Sequence, residues 1–267
     1  MNLRYGYCKE YSTPLKTEVD YALIDAIARA GYDYVEMRAM LVSSLDEGEY
    51  RKLRIYLREA GLGCDCCCAL FPASVRITTA DADRAMIAAY TEKTFERCSA
   101  LGAKKIVFGS APARALDDQT TEEQGYARMA DVLSGTIVPL AEEYDVTVVI
   151  EPLRTVACNF IHTLAEGARV VSDVSSERVR LLADTIHMQS NEDDPDAILT
   201  YAPILRHVHI SELSRVLPED GYSPYVARVL RNLRTIGYEG TISFETNRGK
   251  APDSMAKALR LLKTELK

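Results

Sequence analysis

Residues 146–188 read VTVVIEPLRTVACNFIHTLAEGARVVSDVSSERVRLLADTIHM, and this stretch decides the fold. VTVVIEP is a β-branched run of strand length. HTLAEGARVVSDV spaces its apolar residues along one helical face, and VRLLADTIHM returns to a strand. Strand, helix and strand in close succession form the unit of a parallel sheet. Each strand closes on a carboxylate, Glu151 in the first and Asp184 in the second.

The same rhythm extends in both directions. Downstream come helix DPDAILTYA, strand RHVHISE, helix YVARVLRNLRTIG, strand GTISFET and helix DSMAKALRLLKTEL. Upstream, LRYGY, YDYVEMR, GLGCDCCCALF and KKIVFGSA read as strands. Their helices are EVDYALIDAIARAG, GEYRKLRIYLREAG, ADADRAMIAAYTEKTFERCSALG and GYARMADVLSGTIVPLAEEY. The 267 residues thus hold eight repeats of about 33 residues, the size of a (β/α)8 TIM barrel. The rival is an open doubly wound sheet, but no GxGxxG fingerprint follows the first strand. No linker or change of composition divides the chain, so one TIM-barrel domain over 1–267 is expected.

A net charge of -7 and a pI near 5.3, with no long Lys/Arg run, argue against nucleic-acid binding by phosphate neutralisation. A small neutral or anionic substrate fits better. No stretch pairs a charged start with an apolar core in the manner of an export signal, and none is apolar for the thickness of a bilayer. A cytoplasmic protein without membrane contact is therefore expected. Its seven cysteines, an odd number, should stay reduced. Self-association is also expected, since barrels of this type often assemble, although the sequence singles out no patch for it.

In such a barrel the chemistry sits where strands end and βα loops begin. Glu151, Asp184, His209 and Glu245 fall there on strands five to eight. Any one of these carboxylates alone would read as a solvated loop residue or helix cap, and His209 alone as a satisfied core histidine. Four in consecutive strands read as a metal site, because neighbouring carboxylates at a low-dielectric mouth raise one another's pKa unless a cation stands between them. Mostly oxygen donors with one nitrogen suit a divalent ion, Mn2+ first, with Mg2+, Co2+ or Zn2+ as alternatives.

EPLRTVACNF, ADTIHM, HVHISELSR and ISFE resemble the sugar-phosphate isomerase/epimerase family of xylose-isomerase-like TIM barrels, the D-tagatose and D-psicose 3-epimerases among them. The resemblance spans nearly the whole chain and is strongest after position 145. It implies one divalent metal on Glu151, Asp184, His209 and Glu245, with Glu151 and Glu245 also acting as acid and base. It implies substrate binding by His187, three residues after Asp184, and by Arg215, six after His209. The chain departs from the common ExxNRxExxxxN pattern: Arg154, Thr155 and Ala157 replace the Asn, Arg and second Glu, with Asn159 nearby. The reaction type implied is proton abstraction beside a carbonyl through an enediolate, giving epimerisation or isomerisation of a sugar or sugar-like ketone. The alternatives are a lyase or dehydratase acting on a keto-inositol or keto-glycoside, and a non-catalytic sugar-binding barrel.

Other residues carry weaker signals. Cys64, Cys66 and Cys68 should share one face of the third strand with Cys67 opposite, all in apolar packing. His207 should point the same way as His209. Glu36 ends the second strand and reads equally as a structural ion pair or as a partner of substrate, water or His187. Tyr5, Tyr7, Phe71 and Phe108 lie near early strand ends, where core packing is the commoner fate and a wall against a sugar the alternative.

Overall fold

Eight short strands, each inward on every second residue, close on themselves in the computed structural model, which describes residues 3–8, 18–246 and 251–267. They are β1 Arg4–Cys8, β2 Tyr34–Arg38, β3 Cys66–Cys68, β4 Lys105–Phe108, β5 Thr147–Ile150, β6 Val179–Asp184, β7 Leu205–Ile210 and β8 Thr241–Glu245. Every neighbouring pair is parallel, in sequence order, and β8 pairs with β1 to close the barrel. The (β/α)8 barrel expected from the repeats is the one observed.

Alternation of side chains along each strand sorts residues into two shells. Tyr34, Cys66, Cys68, Val107, Val149 and Leu182 pack together inside the barrel with Cys8, while the other shell packs under the helices in a far larger apolar core. Gly6 is required by this packing: a Cβ there would lie 2.1 Å from the ring of Tyr34, whose hydroxyl meets Ser243 Oγ at 2.8 Å. Cys64 belongs to the outer shell, its sulfur 3.7 Å from that of Cys67, so the expectation that it shares a face with Cys66 and Cys68 is corrected. β3 begins only at Cys66, and the alternation does not extend back to residue 64.

The predicted helices form with two revisions. The segment predicted as GYARMADVLSGTIVPLAEEY begins earlier, at Glu122, and is interrupted by a π-helical turn, Leu133–Ile137, just before Pro139, whose missing N–H and ring disfavour regular α geometry. The sixth strand stops at Asp184 rather than running through Met188, because the Asp184 carboxylate caps a short helix, Thr185–Ser190, by accepting from Ile186 N at 2.7 Å. Among the described residues no helix is long and apolar enough to cross a membrane, and no disulfide joins the seven buried cysteines.

Candidate metal centre at the barrel mouth

Glu151 follows the last residue of β5, Asp184 ends β6, His209 lies one residue inside the end of β7, and Glu245 ends β8. Their register brings them level, with Asp184 beside His209 and His209 beside Ser243 on β8. His209 Nδ1 lies 3.2 Å from Glu151 Oε1 and 3.6 Å from Asp184 Oδ2. Asp184, His209 and Glu245 each place a donor atom within 4.8 Å of the others, as do Glu151, Asp184 and His187. The five groups therefore share one cluster, with Asp184 common to both sets. Asp184 Oδ1 is used by the helix cap, whereas buried Oδ2 has no hydrogen-bond partner among the described residues. A buried carboxylate oxygen without a donor, ringed by further carboxylates and an imidazole, is what a divalent cation fits.

Hydrogen-bond partners fix which nitrogen each histidine turns to the cluster. His209 Nε2 lies 3.0 Å from Glu36 Oε1, a carboxylate oxygen that only accepts, so Nε2 keeps a proton, and Nδ1, which faces Glu151 and Asp184, is the nitrogen a cation could reach. At His187 the order is reversed. The Arg154 backbone N–H donates to Nδ1 at 3.2 Å, which leaves the proton of the neutral ring on Nε2, 3.9 Å from Asp184 Oδ2 and 4.0 Å from Glu151 Oε1. His187 thus presents a donor to the cluster. It reaches the site because the helical turn after β6 carries residue 187 back over residue 184.

Behind the cluster stands a buried polar chain. Glu36 spans both inward histidines, its other oxygen 3.0 Å from His207 Nε2, and Thr241 Oγ1 lies 2.7 Å from His207 Nδ1. Burial alone would raise the Glu36 carboxyl, but His209 and His207 outweigh it and hold it well below the usual carboxylate range. Glu36 therefore orients His209 and not His187. Burial would likewise raise Asp184, yet His187, His209 and Arg215 hold it low, while burial pushes Glu245 up against the opposing pull of Arg215. His209 is pushed well above its ordinary value: desolvation is outweighed by Glu36, Asp184 and Glu151.

Two supports had no signal in the sequence. Arg114 is fully buried and donates to the carbonyls of Phe108 at 3.1 Å and Glu151 at 2.6 Å, tying the ends of β4 and β5 together. Gly109 lies against the Glu151 carboxylate so closely that a Cβ would meet Oε2 at 1.7 Å.

Above the cluster opens a cavity of about 410 Å3, lined by Glu151, Glu245, His187 and Arg215 on one side and by Arg38, Met40, Phe71 and Ala157 elsewhere. Arg215 donates to Glu245 Oε2 at 2.9 Å from a left-handed backbone position. Phe71 lines the cavity with its ring edge-on to Phe108. Tyr7 is buried under the helices against Tyr32, and Tyr5 packs against the same outer core. Asn159 pairs with the backbone of Leu116 and holds two loops together.

The family model described as a xylose isomerase-like TIM barrel matches residues 24–265. A D-psicose 3-epimerase of Agrobacterium fabrum is 28% identical over 227 residues, 83% of this chain and 77% of that protein. An L-ribulose 3-epimerase of Mesorhizobium japonicum is 25% identical over 221 residues, 81% of this chain and 72% of its own. A crystal structure of D-psicose 3-epimerase with D-tagatose from Clostridium cellulolyticum superposes with a TM-score of 0.85 at 20% identity, covering 99% of both chains.

Proposed function

The chain belongs to the xylose isomerase-like TIM barrel family, and from that premise we propose that it is a divalent-metal-dependent sugar epimerase, moving a proton at the carbon beside a ketone. The observation that carries the proposal is the convergence of Glu151, Asp184, His209 and Glu245 around the partnerless Asp184 Oδ2, at the floor of a sugar-sized cavity. The relatives named as ketose 3-epimerases support the substrate class.

Glu151, Asp184, His209 through Nδ1 and Glu245 would hold the ion, with Mn2+ the proposed occupant. When bound, the ion supplies positive charge beside the carbonyl oxygen, which makes the neighbouring C–H acidic. Glu151 and Glu245 stand on strands separated by β6 and β7, so one carboxylate can take a proton from one face of the substrate and the other return a proton to the opposite face. His187 Nε2–H donates to a substrate oxygen as charge develops there, and Arg215 holds the Glu245 carboxylate in place. The apolar lining at Met40 and Phe71 limits water around the reacting carbon. A reduced, cytoplasmic setting suits the seven buried thiols.

The test is solvent-deuterium incorporation, read by NMR over a panel of ketoses with Mn2+ added. Exchange at one carbon beside the carbonyl, abolished by chelator and by Glu151→Gln or Glu245→Gln in folded protein, is the expected result. Normal turnover in either variant would overturn the acid/base assignment, and ligand binding without exchange at any carbon would make the protein a sugar-binding barrel.

A further inference from the structure

The cavity wall carries one guanidinium, that of Arg154, which the proposed reaction does not use. Its lining includes three guanidiniums, Arg38, Arg154 and Arg215, against two carboxylates, Glu151 and Glu245, in a chain whose net charge is -7. Both carboxylates are committed to the metal site, and Arg215 is paired with Glu245. Arg154 is different. It leaves the loop after β5 with its Nε buried and without a hydrogen-bond partner, and no carboxylate among the described residues forms an ion pair with it. Arg38 reaches the same cavity from the end of β2 and is itself buried.

Arg154 is half-buried: its Nε is shut off from solvent with no acceptor, while the rest of its planar fork faces the cavity, a shape that matches a carboxylate or a phosphate. We propose that the natural substrate is an anionic sugar, a keto-sugar bearing a carboxylate or a phosphate ester, with Arg154 binding the anionic group. This rests on the sugar-epimerase reading above and narrows its substrate class. A neutral ketose would fill the metal end of the cavity and leave Arg154 without a counter-charge.

Binding of three carbonyl-free ligands to the Mn2+-loaded protein tests this by calorimetry: glucitol, gluconate and glucitol 6-phosphate. None can be turned over, so the measurement reads the pocket whether or not the protein is an epimerase, and absence of proton exchange would count against the earlier reading alone. At least one anionic ligand is expected to bind ten-fold or more tightly than glucitol, gluconate indicating a carboxylate substrate and glucitol 6-phosphate a phosphate ester. Arg154→Ala should bring that ratio close to one, and Arg154→Lys should keep part of it. Equal binding of all three ligands would overturn the proposal. So would a preference that survives Arg154→Ala, since the anion would then sit on the metal ion.

Discussion

Gly109→Ala should disable the site while leaving the fold intact. A Cβ at this position would stand 1.7 Å from Glu151 Oε2 and 2.9 Å from its Cδ, where ordinary contact begins at 3.4 Å. The carboxylate must therefore retreat by the shortfall, about 1.7 Å. Gly109 is not among the glycines in the left-handed region, so alanine suits its backbone, and the atom in the way is the tip of a side chain able to turn. Little stability is lost. Glu151 Oε1, however, is the oxygen that faces His209 Nδ1 at 3.2 Å, and it moves with the rest of the carboxylate. A displacement of that size at a group proposed to react costs on the order of 100-fold in rate. The assay is proton exchange at saturating Mn2+, alongside Mn2+ affinity and the thermal midpoint. Exchange should fall at least about 100-fold with the midpoint almost unchanged. Glu151→Asp, which draws the carboxylate back by one methylene, should cost less in the Gly109→Ala protein than in the wild type, a coupling that a double-mutant cycle reads directly. Wild-type exchange in Gly109→Ala, or strictly additive losses, would refute the reasoning.

Glu36→Gln keeps the shape of the buried chain but weakens the acceptor of the His209 Nε2 proton, so Mn2+ affinity should drop about 10- to 100-fold in a calorimetric titration. The ion must displace a proton from His209, whose pKa lies well above its ordinary 6.5, so binding should weaken as pH falls and release protons detectable in buffers of different ionisation enthalpy. For the metal-free protein, Glu36 contributes stability above its ordinary 4.5 that is lost as pH falls through its lowered value. His209 contributes stability below 6.5 that is lost as pH rises through its raised value. Thermal midpoints of the metal-free protein should therefore fall on both the acid and the alkaline side, and saturating Mn2+ should flatten the alkaline fall. Arg114→Met leaves two buried carbonyls, those of Phe108 and Glu151, without their donor, and should cost about 2–5 kcal/mol in urea unfolding.

The parts of the molecule legible in the sequence are those set by local periodicity. Alternation along VTVVIEP and RHVHISE, with the helical spacing between them, is enough to assign strands, count repeats and find the strand ends where Glu151 and His209 fall. What depends on closure is not legible in this way. Arg114 reads as one basic residue in a loop, and only the pairing of β4 with β5 places two strand-end carbonyls within its reach. Gly109 reads as turn chemistry, yet its role is to leave room for a carboxylate that lies 42 residues later in the chain. TIHM has the composition of a strand, and its helical geometry follows from Asp184 capping it.

The two inward histidines show how far alternation carries and where depth takes over. His207 and His209 are both inward on β7, both fully buried, and both hydrogen-bonded to Glu36. Nothing in HVH separates the residue proposed as a ligand from the one that supports it. The separation comes from height in the barrel. At the level of residue 209 the neighbours are Asp184 on β6 and Ser243 on β8, and a carboxylate faces Nδ1. One layer lower, at residue 207, they are Leu182 and Thr241, and the Thr241 hydroxyl takes the same nitrogen. Glu36, reaching both levels from β2, fixes the proton of each ring on Nε2. The lower ring is satisfied entirely by protein groups, whereas the upper one turns Nδ1 toward Glu151 and Asp184, where a cation would take the place of its proton.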